Sequence, residues 1–477
     1  MRYISFFYFV FFFQACSLFE KTAESESQPN IILIMTDDLG WGDVGFNGNT
    51  HIKTTALDNL AAKGVILDRF YAASAVCSPT RASCLTGRNP YRQGIPTAIA
   101  GHMKTEEITL PELLKEQGYT TGHFGKWHLG TLTTLVKDSN RGIPGDSSHY
   151  SLPTMHGYDR YFVSESKTPT FDPMLKPVYF DTLQGESLRY GWAALRDTTV
   201  SEAYGTYYWE GPEKRVVKNL KGDDSKIIMD RAITFLEKAK RKNQPFFTVI
   251  WFHTPHLPVV ADQKHRNMYS DLSHEEQLYY GTITAMDEQV GRLWKTLETL
   301  GEADNTLLWF CSDNGPERGT PGLAGPYRER KRSLYEGGVR VPAFFVSPKH
   351  VSGGERTSVP MVTSDYLPTI LDFLNLPYPD EDRPLDGITT KPILLGKKLQ
   401  RGSPIGFQFG GKMSWVNDRY KLVSTDKGET FELYDLLTDR GEEQNIADQY
   451  PEMEASMRRE LLVWIASCRR SWEGEDY

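Results

Sequence analysis

Apolar residues come along this chain in short unbroken runs that stop abruptly at carboxylates, amides or histidines. The run Ile31 to Met35 in NIILIMTDDLGWGDVG ends in Thr36, Asp37 and Asp38. Leu307 to Cys311 in NTLLWFCSDNGPE repeats the plan and is followed by Asp313 and Asn314. QPFFTVIWFHTPHLP does so a third time, ending in His253 and His256. Continuous apolar runs of this length suit strands buried on both faces of a parallel sheet.

Helical periodicity fills the intervals, in TTALDNLAAKGV, LPELLKEQGY, SKIIMDRAITFLEKAKRK and GTITAMDEQVGRLWKTLETLG. Strands alternating with helices predict an α/β fold: a doubly wound, mostly parallel sheet flanked by helices. Its ligand site should lie beyond the carboxyl ends of the strands. After DYLPTILDFLNLP the texture changes. MSWVNDRYKLVST and ETFELYDLLTD read as short antiparallel strands and PEMEASMRRELLVWIAS as a helix, a smaller C-terminal α+β subdomain. The expected division is a leader and tether at 1–28, a main domain at 29–375 and the subdomain at 376–477.

The leader MRYISFFYFVFFFQAC carries one cation, Arg2, and an apolar run from Tyr3 to Phe13. That run is too short to span a bilayer and fits a signal-peptide core. Ala15 before Cys16 resembles a bacterial lipoprotein cleavage site. The expectation is export, to the periplasm or as an outer-membrane or cell-surface lipoprotein anchored through a lipid on Cys16; simple cleavage is the alternative. A net charge of −8 with no dominant basic block argues against a nucleic-acid partner. Five scattered cysteines are too few for a disulfide framework in 477 residues, and Cys84, Cys311 and Cys468 read as small buried residues.

Asp37-Asp38 and Asp313-Asn314 are two pairs of hard oxygen donors at strand ends. Either pair alone would make a turn; converging, they suit Ca²⁺ or Mg²⁺ rather than zinc. GYTTGHFGKWHLG places Lys126 and His128 on one side of an extended segment, an anion holder beside a proton carrier, with His123 structural. His256 lies between Pro255 and Pro258, and His253 is the weaker candidate. Lys331 sits in a basic run before Gly337-Gly338, which permits close backbone approach. In AASAVCSPTRASCLTGRNP, Cys77 opens a short helix with Pro79 in its first turn and Gly87 as its stop. Unpaired N–H donors and the helix dipole there favour an anion.

Cys77-Ser78-Pro79-Thr80-Arg81 resembles the C-x-P-x-R signature of the type I sulfatases, in the alkaline phosphatase superfamily. The similarity covers roughly residues 28 to 450 and includes TDDLGWGD, GKWHLG, PHLP, SDNGP and YEGGVRVP in the family's order. It makes residues 29–375 the catalytic domain. It implies that Cys77 is converted to formylglycine by a maturation enzyme that reads the Ser/Pro/Arg context. Cys84 to Arg88 has the same spacing but no proline, and reads as a decoy.

The resemblance also implies the chemistry. One geminal hydroxyl of the hydrated aldehyde, activated beside the cation and by Asp313, attacks sulfur. His256, helped by Lys331, protonates the leaving alcohol. His128 deprotonates the second hydroxyl, which expels sulfate. Asp37, Asp38, Asp313, Asn314 and the residue-77 oxygen would ligate Ca²⁺, with Mg²⁺ the lesser choice; Arg81, Lys126 and Lys331 would balance charge. A further family serine would be Ser164 or Ser166.

The reading is an exported sulfatase acting on a sulfated polysaccharide or its oligosaccharides, algal or a host glycosaminoglycan. Its alternatives are a formylglycine-dependent phosphoesterase and a non-catalytic carbohydrate-binding protein. Tyr179, Tyr190, Trp192, Tyr204, Tyr207, Tyr208 and Trp209 are candidates to stack on sugars or form a packed insertion. Arg189, Arg196 and Lys214 are candidates to meet further anions.

Overall fold

A computed structural model describes residues 28–176 and 203–477. Its strands in chain order are β1 (Asn30–Thr36), β2 (Val65–Leu67), β3 (Phe70–Tyr71), β4 (Thr120–Lys126), β5 (Arg160–Ser164), β6 (Tyr208–Trp209), β7 (Phe246–Trp251) and β8 (Thr306–Ser312). Then follow β9 (Arg340–Val341), β10 (Ala343–Val346), β11 (Glu355–Thr357), β12 (Met361–Val362), β13 (Ile405–Phe409), β14 (Lys412–Val416), β15 (Tyr420–Ser424) and β16 (Glu432–Asp435).

The main sheet has nine strands in the order β11-β2-β10-β8-β1-β7-β4-β5-β6. Its central run β8-β1-β7-β4-β5 is parallel throughout, and β10 and β6 pair antiparallel beside it. In β1, Ile31, Leu33 and Met35 enter one core while Ile32 and Ile34 enter the other. A strand with both faces covered has no polar face to alternate with, so its sequence runs unbroken.

The helices Asp224–Arg241 and His274–Leu300 fill the core on one face. The second begins before the periodic segment that predicts it. Ser273 caps it, accepting from the Glu276 N–H, and the Glu276 carboxylate accepts in return from the Ser273 N–H.

On the other face the ten-residue helix Cys77–Thr86 is buried along its whole length and ends at Gly87, left-handed at φ 71°. A small sheet, β12-β3-β9, lies near its start. Leu376, Tyr378, Leu385, Ile393 and Leu394 pack on that main core, and the four-stranded antiparallel sheet β13-β14-β15-β16 begins only at Ile405. The helix Pro451–Trp472 covers its outer face through Met457 and Leu461. Cys16 and the rest of the leader lie outside the described residues, among which no helix is long and apolar enough to cross a membrane.

Candidate active site

β1 and β8 are neighbours in register, Thr36 opposite Ser312, so the residues that follow them emerge side by side. The Asp313 N–H donates to Thr36 O at 3.1 Å and the Asp38 N–H to Asp313 Oδ1 at 3.2 Å. Asn314 Nδ2 donates to Asp38 Oδ1 at 2.7 Å. Asp37, Asp38, Asp313 and Asn314 thus lie on one carboxyl edge, all buried. Asp38 takes a left-handed φ of 68°, uncommon without glycine and held by these contacts.

Cys77 is the first residue of its helix, and ligand atoms of Asp37, Cys77 and Asp313 lie within 4.8 Å of one another. Burial pushes its thiol pKa up, against the pull of Lys126 and Lys331. One turn on, Arg81 donates to Asp313 Oδ2 from Nε at 3.1 Å and Nη2 at 2.6 Å, and sits 3.8 Å from Asp37.

β4 delivers Lys126, whose Nζ is 2.6 Å from Asp37 Oδ2, and then His128, left-handed at φ 55°. His128 Nε2 meets Asn140 Nδ2 at 3.1 Å and Ser166 Oγ at 3.4 Å; its buried Nδ1 has no hydrogen-bond partner. Burial, with Lys126, Arg141 and Arg81, holds the ring well below the usual histidine pKa, hence neutral. Ser78 Oγ donates to His128 O and accepts from Arg141 Nη2 at 3.0 Å, and Arg141 pairs with Glu165 at 2.8 Å. Asn140, Arg141 and Glu165 thereby tie the start of the Cys77 helix to the end of β4. Sequence reasoning missed all three because they lie in irregular segments with no periodic signal.

His256 follows β7. Its N–H donates to His253 O at 2.8 Å and its Nδ1–H to Leu257 O at 2.6 Å, which leaves Nε2 3.7 Å from Asp38 Oδ2. Burial pushes its pKa down to about 4, against Asp37 and Asp38. Lys331 reaches both Asp38 oxygens, at 2.6 and 2.7 Å, and Glu317 at 3.5 Å. Burial would lower its pKa, but Asp38 leads a set of anions that raises it. The glycines after it are required: a Cβ on Gly337 would stand 2.2 Å from Glu329 O, and on Gly338 2.0 Å from Ser333 O. Glu317, three residues after Asn314, escaped sequence reasoning although it adjoins the SDNGP motif.

His123 and His253 are structural, as are Cys84, Cys311 and Cys468. His123 sits edge-on to Trp127, Tyr158 and Trp251, its pKa pushed down to about 3 by burial. His253 lies between Asp224 Oδ2 at 2.8 Å and Ser164 Oγ at 2.6 Å. That commits Ser164 to the core and leaves Ser166 as the serine beside His128. Cys84, Cys311 and Cys468 are buried and free.

Of the aromatic segment, Tyr208 stacks on Phe162 at 4.1 Å and Trp209 donates to Asp138 Oδ2 at 2.8 Å. Both are core residues and neither is open to a sugar. Tyr204 and Tyr207 are partly exposed, and exposed Lys214 pairs with Glu210 at 2.7 Å. Tyr179, Tyr190, Trp192, Arg189 and Arg196 lie outside the described residues.

The donor set fits a hard divalent cation. Asp37 Oδ1 and Asn314 Oδ1 are buried oxygens without a hydrogen-bond partner, an arrangement costly unless a cation takes them up. Burial raises the Asp37 pKa, but Lys126, His256, Arg81 and Lys331 overrule it and hold the carboxyl well below its usual range. Burial and the neighbouring Asp37 push Asp313 up to about 7. Crowded carboxylates of this kind are what a bound cation relieves.

A sulfatase family model matches residues 29–376, nearly three quarters of the chain. This protein is a sulfatase. The sulfatase is 31% identical over 454 residues to N-acetylgalactosamine-6-sulfatase of Mus musculus, covering 89% of this chain and 77% of that one. Arylsulfatase G of Rattus norvegicus is 30% identical over 422 residues, 83% of this chain and 75% of that one. Among solved structures it resembles Ps i-CgsB in complex with k-i-k-neocarrahexaose, at 26% identity and a TM-score of 0.77 over 94% of each chain. The sulfatase hydrolyses sulfate esters, on a mixed α/β fold shared with these neighbours.

Proposed function

We propose that this sulfatase acts after export, removing sulfate from a sulfated polysaccharide or its oligosaccharides through a formylglycine made from Cys77. The observation that carries the reading is Cys77 itself: a buried helix-start cysteine, in C-x-P-x-R context, among three carboxylates and the cations that pair with them. The relatives' substrates support the carbohydrate class, since one is named for N-acetylgalactosamine 6-sulfate and another binds a neocarrahexaose.

Formylglycine, hydrated, supplies a hydroxyl nucleophile and a second hydroxyl that gives an internal exit. Ca²⁺, or less favourably Mg²⁺, would be held by Asp37, Asp38, Asp313, Asn314 and the residue-77 oxygen, and would supply Lewis acidity. The chain's own groups do the rest. Arg81 fixes Asp313 and offsets its charge. Lys126 and Lys331, each already bonded to a carboxylate, offer their remaining N–H donors to sulfate oxygens. The neutral His128 ring, whose Nε2 accepts from Asn140 Nδ2 and meets Ser166 Oγ, is the group that takes up a proton. His256 Nε2 and the Lys331 ammonium flank the leaving oxygen.

The test is peptide mass spectrometry of active protein, with turnover of an aryl sulfate and an aryl phosphate. An aldehyde mass at residue 77, a preference for sulfate and no turnover by Cys77→Ala are expected. Full activity in the alanine variant sinks the mechanism, and preference for phosphate sinks the substrate class.

A further inference from the structure

Three cations around Cys77 are each bound to a carboxylate: Arg81 to Asp313, Lys126 to Asp37 and Lys331 to Asp38. Lys167 is different. It follows Ser166, whose hydroxyl meets His128, and stands in the field of Lys331, Lys126, Asp38 and Asp37. Yet its ammonium has no hydrogen bond or ion pair to any group among the described residues. Burial, with Lys331 and then Lys126, pushes its pKa down. An ammonium that stands in the field of two others and is bonded to neither Asp37 nor Asp38 has N–H donors left for an anion, which the substrate can bring.

Depth separates its task from that of the other lysines. Lys126 and Lys331 are 0% and 3% exposed, on the floor beside Cys77, where the scissile sulfate must lie. Lys167 keeps partial exposure, nearer to solvent, where the rest of the substrate must sit.

We propose that Lys167 is a specificity residue that binds a second anionic group, a carboxylate or another sulfate, on the same substrate as the scissile ester. The substrate class is then a doubly charged glycan unit rather than an isolated monosulfate. This rests on the sulfatase reading of the site.

The experiment compares kcat/KM of the full chain for a nitrophenyl sulfate and for the same ring carrying a carboxylate or a second sulfate. The unmutated protein should prefer one or both doubly charged rings, and which one identifies the group. Lys167→Met should lose about 10–100-fold more on that ring than on the monosulfate, the worth of a charge-assisted hydrogen bond. Lys167→Arg should restore most of the preference, which a merely structural lysine would not require. Equal losses on all substrates would assign Lys167 to the scissile sulfate and overturn the proposal, as would an unchanged preference in Lys167→Met. Turnover of the plain nitrophenyl sulfate by the unmutated protein keeps the sulfatase reading standing in either case.

Discussion

His256 shows how burial constrains a catalytic role. With Nδ1–H committed to Leu257 O and the pKa near 4, its Nε2 carries no proton at neutral pH, whereas Lys331 keeps its own. An aryl alcohol leaves readily without a proton and a sugar hydroxyl does not. If His256 delivers the proton, with charge drawn from the bound substrate, His256→Ala should lose about 10²–10⁴-fold on a sugar sulfate and much less on an activated aryl sulfate. Lys126→Ala, which removes a contact common to both esters, should depress the two more evenly. The measurement is kcat/KM for both substrates in both variants. Equal losses in His256→Ala would transfer the acid role to Lys331. The motifs bearing these residues were legible in sequence, but Lys167, Asn140, Arg141 and Glu165 were not. Each is an ordinary loop residue until the fold brings Asn140, Arg141 and Glu165 to His128 and Ser78, and Lys167 into the field of Lys126 and Lys331.

Between elements, the C-terminal sheet is joined to the catalytic domain by buried charge. Lys421 of β15 lies 2.9 Å from both Glu336 and Glu442, and Glu442 also accepts the Glu336 N–H at 2.6 Å. Burial tends to raise the Glu336 pKa, but Lys421, Arg340 and Arg69 overrule it and hold it down to about 2. Glu442, pushed up by burial and by Glu336 despite Lys421, stands at about 7. A carboxyl raised in the fold favours its protonated form. Its contribution is therefore full below its unfolded pKa, near pH 4.5, and is lost as pH rises through about 7. Glu442→Gln should abolish this component, so that its Tm relative to the unmutated protein climbs between pH 5 and pH 8. A constant difference across that range would show that Glu442 does not titrate there. Lys421→Met, leaving two buried carboxylates with less compensation, should cost about 3–5 kcal/mol. The sheet was readable from its alternating strands. This junction was not, because its partners lie 85 and 21 residues from Lys421.

For the whole molecule, the site exists only because separate strand ends meet. β1, β4, β7 and β8 contribute Asp37 and Asp38, Lys126 and His128, His256, and Asp313 and Asn314, while Lys331 arrives on a loop folded against two glycines. A cation bound there would tie β1 to β8 and to the Cys77 helix, so removing it should act on stability as well as turnover. Chelation is expected to lower Tm and activity together, and Ca²⁺ to restore both; at a hundred times its Kd it adds about 2.7 kcal/mol. Better restoration by Mg²⁺ would change the ion assigned. Unchanged Tm and activity after exhaustive chelation would rule out the site.

The sequence by itself determined the central strands β1, β7 and β8, because burial on two faces leaves an unbroken apolar run. It determined the catalytic helix too, because Pro79 and Gly87 mark its limits, and it supplied the chemistry through motifs whose residue types are fixed by what they must do. Tertiary structure alone decided which charges neutralise one another. Pairing depends on distances of a few ångströms between residues 89 to 293 positions apart, and no local pattern encodes those. It is why Arg81, Lys126 and Lys331 each have a carboxylate, while Lys167, equally basic in sequence, is bonded to none among the described residues.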